Sequence, residues 1–383
     1  VAFLQIYTED HEIFRRTFKK FVEKEIAPHV EEWHEKREVP KSIWKKMGDQ
    51  GYLSPWLDEE YGGAGVGFEY SVIIGEELSK VDVGFAVGVG VHGDIIVPYI
   101  ASYGTEEQKR KWLPGCCAGD TIMAIGMTEP NTGSDVQAIK TTAIKDGDHY
   151  VINGQKTFIS NGILAGLVLL ACKTDPKADP PHKGVSLIVV EDGTPGFIKS
   201  RKLNKLGLHS QDTAELYFED CRVPVANLIG EEGKGFIYMM QKLQQERLVT
   251  VISAQAAAER LVEDAVEYAK TRTAFGRPIG KFQHNAFKLV EMATEVELGR
   301  AFLDSLLVDH LEGKDIVKKV SMAKWWHSEM VNRVAYHCLQ IHGGYGYMDE
   351  YPVSRYYRDV RMLNIAAGTT EIMKEIIARQ MGL

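Results

Sequence analysis

From Leu248 to Ala258 the chain runs for eleven residues without a charge. The run continues a helical pattern that begins with Phe236, Met239, Met240 and Leu243. A helix that is apolar on nearly every side must be packed on nearly every side, so this one demands partners. Further helical patterns follow over about 281–311, 315–341 and 370–380. Residues 233–383 are therefore expected to form a four-helix bundle.

Upstream the texture changes twice. Over 121–232, Tyr150–Lys156, Leu167–Ala171, Val185–Val190 and Ala214–Phe218 are short apolar or alternating runs between polar loops. Strands at that spacing predict a β-barrel or sandwich domain. Over 1–120 helices return. Phe14, Phe18, Phe21, Val22 and Ile26 recur at helical spacing, Tyr61–Gly65 is a loop, and Thr105–Gln108 reads as a capped helix start. The expected fold class is α+β multidomain: an N-terminal helical domain, a middle β-barrel/sandwich domain and a C-terminal four-helix bundle. A length of 383 residues suits two or three domains.

Composition removes several function classes. The net charge is −8 and no basic run or basic-aromatic stripe marks a nucleic-acid surface. Five cysteines without regular spacing give neither a disulfide framework nor a zinc pattern, so no metal site is expected. No stretch of about 18 or more apolar residues is read in the sequence, so no transmembrane segment is expected. Val1–Gln5 resembles neither a secretory signal nor an Arg-rich transit peptide. The expected setting is a bacterial cytoplasm, or a mitochondrial matrix if a leader has been removed.

Each candidate motif has an ordinary alternative. Gly88–Gly93 matches G-x-G-x-x-G, but its surroundings are helical, Pro98 follows and no β/α alternation appears, so it is a chance match. Met127–Asp135 offers the hydroxyls of Thr128 and Ser134 beside Gly133; alone it reads as a surface turn. Phe158 and Ser160 put an aromatic face and a hydroxyl at a strand end, suited to a flat ring, or else Phe158 is a core residue. Glu246-Arg247 sits where the long helix becomes uncharged. It is either a desolvated carboxylate base or an ion pair at a helix edge. Arg272–Gly276, with Gln283 beyond, is either an anion clamp or a helix end with a favourable cation. Gln340–Tyr347 is a Gly-rich turn open to phosphate or ribose, or a plain helix stop, and Ala367–Ile372 either caps the last helix with N–H donors left for an anionic ligand or caps it only.

Taken in order along the chain, these segments closely resemble the acyl-CoA dehydrogenase family of flavoenzymes, and the resemblance covers essentially the whole sequence. It implies bound FAD. Met127, Thr128 and Ser134 would touch flavin or substrate, and Phe158 and Ser160 would pack by the isoalloxazine, where most relatives carry Trp and Thr. Arg272, Phe275, Gln283, Gln340 and Gly344 would hold the pyrophosphate and adenosine of a neighbouring subunit's FAD. Thr369 and Glu371 would lie near the flavin diphosphate, although many relatives have Gln at the latter position. Ser134, Arg247, Ala367 and Gly368 would line the substrate site.

The family needs a glutamate base. Many members carry it just before the C-terminal Gly-Thr, where this chain has Ala367. A smaller group, including long-chain and isovaleryl acyl-CoA dehydrogenases, carries it on the long helix, where this chain has Glu246. The resemblance implies that Glu246 removes the α-proton of an acyl-CoA while flavin N5 takes the β-hydride, giving a trans-2-enoyl-CoA. Medium- to long-chain substrates are favoured by the Gln244–Arg247 and Glu371–Arg379 segments. An isovaleryl or short branched-chain enzyme is the alternative, and a non-dehydrogenating flavoprotein of the same fold is a further one. The implied partners are acyl-CoA, electron-transfer flavoprotein and further copies of the chain in a homotetramer.

Overall fold

The computed structural model describes residues 6–383. The Val1–Gln5 stretch, and with it the leader expectation, lies outside the described residues. The first region is helical: α1 (Glu9–Glu25), α2 (Val30–Lys36), α3 (Lys41–Asp49), α4 (Phe68–Ser79), α5 (Val83–Gly90), α6 (Val97–Tyr103) and α7 (Glu106–Cys117). The capped start is present at α7: Thr105 Oγ1 accepts from Gln108 N at 3.3 Å, and Gln108 Oε1 accepts from Thr105 N at 2.8 Å. Between α5 and α6 the residues Val91–Ile96 form a π-helical turn. The G-x-G-x-x-G match lies on α5 and this turn, with no strand before it.

The segment Val83–Tyr103 belongs to the interior of the protein. It is long and apolar enough to cross a membrane, although glycines, His92, Asp94 and Pro98 break any strict apolar count. Most of it is buried inside the protein, as a core helix is. Tyr99, Ile96, Val97 and Ile100 are fully enclosed.

The middle region is one eight-stranded sheet. Its strands are β1 (Ile122–Gly126), β2 (Thr142–Asp146), β3 (His149–Ser160), β4 (Ala165–Lys173), β5 (Val185–Glu191), β6 (Phe197–Lys202), β7 (Thr213–Pro224) and β8 (Leu228–Ile229). The order is β6-β7-β3-β2-β4-β5-β8, with β1 pairing parallel to β4. Strand β4 explains its own continuous apolar run, because both of its faces are covered. Leu167, Leu169 and Ala171 join a core with α6 and α7, while Val168, Leu170 and Cys172 face Tyr150, Ile152 and Leu216 of β3 and β7.

The last region contains α8 (Gly235–Thr271), α9 (Gln283–Leu311), α10 (Val317–His342), α11 (Pro352–Asp359) and α12 (Thr370–Met381). A short hairpin, β9 (Thr273–Ala274) and β10 (Arg277–Pro278), follows α8. The uncharged run of α8 is enclosed as its composition requires. Leu248, Val251 and Ile252 pack with Val72 of α4 and Leu303 of α9, and Ala254, Ala257 and Ala258 pack with Met330 and Val334 of α10.

The regions also meet through polar contacts. His34 Nε2 lies 2.9 Å from Asp82 Oδ1, and Asp359 is close enough to both for the three to hold a cation. Both carboxylates already serve the fold: Asp82 caps α5 by accepting from Phe85 N, and Asp359 accepts from Leu208 N.

Candidate active site

Glu246 lies on α8 where the helix loses its charges, and it is only 6% exposed. Its partner comes from α6, where the Tyr99 hydroxyl donates to Glu246 Oε1 at 2.8 Å. Burial pushes the Glu246 carboxyl up to about 7; the Tyr99 bond and the charge of Arg247 pull the other way without cancelling it. Burial and the neighbouring carboxylate push the Tyr99 phenol well above its usual range, so the phenol stays a donor. The Glu246–Arg247 ion pair does not form. Arg247 is buried, and its Nε has no hydrogen-bond partner among the described residues.

Helix α10 contributes Lys324, which is wholly buried and donates to the carbonyl of Gly368. Burial first, and then the charge of Arg247, lower its ammonium to about 8 against the opposing pull of Glu371 and Glu329. These effects place Arg247, Gly368 and Glu371 around one lysine. Ala367 and Gly368 both take left-handed backbone, with φ of 53° and 97°. Ala367 does so against a steric penalty. Thr369 caps α12, accepting from Ile372 N at 3.3 Å.

The sheet supplies a second group of residues. Lys156 of β3 is buried and donates to Met127 O at 3.1 Å and to Glu129 Oε1 at 2.8 Å. Glu129 in turn accepts from Lys140 N and Thr141 N at 2.6 and 2.9 Å, and Thr157 N donates to Thr128 O at 3.0 Å. The loop after β1 is thus a braced element, not a free surface turn. Its Met127 and Thr128 are half-buried, and Ser134 beyond is exposed. Phe158 is 68% exposed with φ of 61°, so it is not a core phenylalanine; Ser160 is half-buried two residues on. Met127 packs against the same apolar core that contains Tyr99 and Met239 of α8.

Arg272, Phe275, Gln283, Gln340 and Gly344 are all exposed. Arg272 and Gly344 line one cavity of about 430 Å³ with Tyr268, His342 and Tyr345, and the Arg272 guanidinium lies over the Tyr345 ring at 5.4 Å. Phe275 stands on the hairpin at 96% exposure. No hydrogen bond or ion pair among the described residues joins these five to Glu246, Lys324 or Lys156.

Tyr99, Lys156 and Lys324 are candidate-site residues to which the sequence alone gives no role. Lys324 left a trace. Val320, Ala323, His327 and Met330 define the buried stripe of α10, and Lys324 falls within it. A charge on an apolar stripe is a signal of its own. Tyr99 left none, since a tyrosine in an apolar helix looks like core.

The chain matches three family descriptions in succession: the acyl-CoA dehydrogenase N-terminal domain over residues 8–120, the middle domain over 124–221 and the C-terminal domain over 233–382. It is 45% identical to the long-chain specific acyl-CoA dehydrogenase of Sus scrofa mitochondria, over 99% of this chain and 88% of that protein. It is 38% identical to the isovaleryl-CoA dehydrogenase of Oryza sativa mitochondria, over 98% and 92% of the two chains. The crystal structure of an acyl-CoA dehydrogenase from Geobacillus kaustophilus superposes with a TM-score of 0.98 at 58% identity, covering 99% of this chain and all of that one. The chain belongs to the acyl-CoA dehydrogenase family of oxidoreductases.

Proposed function

We propose that the protein oxidises a fatty acyl-CoA to its trans-2-enoyl-CoA with FAD as cofactor, and that Glu246 is the base. The observation that carries this reading is the state of Glu246: buried, free of any ion pair, and held by one hydroxyl. A carboxylate in water is too weak a base for a thioester α-proton. Desolvation without a paired cation raises its basicity to suit the task. Ala367 bears no acid, so the alternative base position of the family is absent. This also argues for dehydrogenation over a base-less flavoprotein of the same fold.

The residues present fit FAD. Phe158 offers an exposed ring on a strained strand end with the half-buried Ser160 two residues on, and Thr157 N ties this strand to the Thr128 carbonyl. Thr369 marks the N-terminus of α12, whose free N–H groups suit a diphosphate. Glu371 is the one member that does not donate, since a carboxylate only accepts. When bound, FAD supplies the acceptor for the β-hydride. Arg272, Phe275, Gln283, Gln340 and Gly344 suit the pyrophosphate and adenosine of a neighbouring copy's FAD, because they are exposed. That arrangement calls for a homo-oligomer, with a tetramer expected.

On the substrate side, Lys324 holds the Gly368 carbonyl, and Arg247 lies buried beside Glu246. Ser134, Arg247, Ala367 and Gly368 are assigned to the thioester and its acyl chain. Medium- to long-chain acyl-CoA is favoured, in keeping with the higher identity to the long-chain relative than to the isovaleryl one. Electron-transfer flavoprotein is the proposed acceptor.

The test is the visible spectrum of the purified protein during anaerobic addition of acyl-CoAs of graded length and of isovaleryl-CoA. Bleaching of a flavin band by straight-chain thioesters is expected. Glu246→Gln should keep the band and lose turnover by roughly 10²- to 10⁴-fold, the usual scale for a general base. A yellow protein that no thioester bleaches would end the dehydrogenase reading.

A further inference from the structure

Resting on the assignment of Glu246 as base, we propose that Tyr99 is a positioning residue that anchors one carboxylate oxygen of Glu246 and leaves the other to meet the substrate. The two oxygens have different surroundings. Oε1 accepts from the Tyr99 hydroxyl at 2.8 Å. Oε2 makes no hydrogen bond among the described residues, yet it is not sealed off as a buried orphan atom. One oxygen is therefore tied and the other is open.

Tyr99 is built to hold its place. Its side chain is fully enclosed in the core that also contains Trp112, Leu113, Leu167 and Met239. Its hydroxyl has no other hydrogen-bond partner among the described residues. The π-helical turn Val91–Ile96 adds a residue to the helical register just before α6, and it thereby sets the direction in which Tyr99 leaves the helix. The charged and titratable groups around the pair are few. Arg247 on α8 acts on Glu246, Tyr103 on α6 acts on Tyr99 and has its own hydroxyl bonded to Gln241 Oε1, and Lys324 on α10 is a neighbour of Arg247. Tyr99 is the only one of them that hydrogen-bonds the base.

Two consequences follow from the chemistry. A glutamate side chain free to rotate would present its carboxylate to the α-carbon for only part of the time, and a tied oxygen removes that freedom. A donor to the carboxylate also favours its charged form. Without the hydroxyl, Glu246 would be less often ionised at neutral pH and less often aimed.

The experiment compares wild-type holoenzyme with Tyr99→Phe and Glu246→Gln, following the anaerobic rate of flavin bleaching by a saturating acyl-CoA from pH 6 to 9. Tyr99→Phe should keep its flavin content and a KM near wild type. Its rate at neutral pH should fall roughly tenfold, and the acidic limb of its profile should move up by about one pH unit, so that the defect shrinks as pH rises. An isosteric check replaces Tyr99 with 3-fluorotyrosine, a stronger donor, which should move the limb down. An unmoved limb in both variants, or a change in KM alone, overturns the positioning role. The two assignments fail separately: if Glu246→Gln still turns over, the base is wrong, whereas an inactive Glu246→Gln beside an unmoved Tyr99→Phe overturns only Tyr99.

Discussion

Two glutamates in this protein are equally buried and titrate in opposite directions. Glu246 is 6% exposed and Glu76 of α4 is 2% exposed. Burial pushes both carboxyls up. At Glu76 it is outweighed by Arg300, 2.7 Å from Oε1, and Arg15, 2.7 Å from Oε2, so its pKa ends below the usual range. At Glu246 there is one phenol and one arginine that does not reach, so burial prevails. Depth alone therefore says nothing about role. Glu76 ties α1, α4 and α9 together as an ion-paired strut, whereas Glu246 keeps one oxygen available.

The comparison can be tested in order of expected effect. Glu76→Gln should destabilise the fold by about 3–5 kcal/mol, because Arg15 and Arg300 are left facing a neutral amide in a buried place. Urea unfolding at pH 7 checks this, and turnover per folded molecule should be unchanged. A loss near zero would erase the distinction between the ion-paired strut at Glu76 and the unpaired carboxyl at Glu246.

The second effect is one of pH. Glu246 has a folded pKa of about 7 against an ordinary 4.5, so between those values the folded chain holds a proton that the unfolded chain has released. Stability from this residue therefore falls as pH rises through that window, by on the order of 3 kcal/mol in full. Glu76, with its lowered pKa, works with the opposite sign and loses its contribution as pH falls. Glu246→Gln should accordingly match wild type near pH 4.5 and exceed it in unfolding free energy at pH 8. Urea midpoints at the two pH values would reveal a flat difference if Glu246 were solvated.

The smallest effect is a control at the surface. Arg379 Nε and Glu375 Oε1 lie 2.7 Å apart on α12 with both side chains mostly exposed. Replacing both with alanine should change stability by less than about 1 kcal/mol. A larger loss would mean that ion-pair geometry matters here regardless of burial.

How much of this was readable in the sequence depends on whether a feature is local. The α8 run announced its own burial because composition over three turns is a local property. The α7 cap was readable because Thr105 and Gln108 are three residues apart. Strand β6 carries no such signal, since its edge position leaves Lys199, Arg201 and Lys202 mixed among few apolar residues. The strand order could not be read at all, because β3 pairs with β7 across more than fifty residues.

The site divides in the same way. Glu246 stood out by its place at the edge of the uncharged run, but the choice between base and ion pair needed the resemblance. The structure adds what a linear reading cannot hold: a hydroxyl 147 positions away in sequence. Phe158 is the reverse case. A phenylalanine in a strand reads as core until its backbone is seen to turn left-handed and expose it.

The π-helical turn at Val91–Ile96 carries a constraint on length as distinct from composition. A regular α-helix turns by about 100° per residue. Side chains in that turn can be exchanged for others of similar size while α6 keeps its orientation. Removing one residue would restore a continuous α-helix from α5 to α6, lawful in every local respect, and would swing everything after it by that angle. The Tyr99 hydroxyl would then face away from Glu246. In this stretch a gap in the chain is thus a more severe change than most substitutions, and residue count is what keeps the Tyr99–Glu246 bond in place.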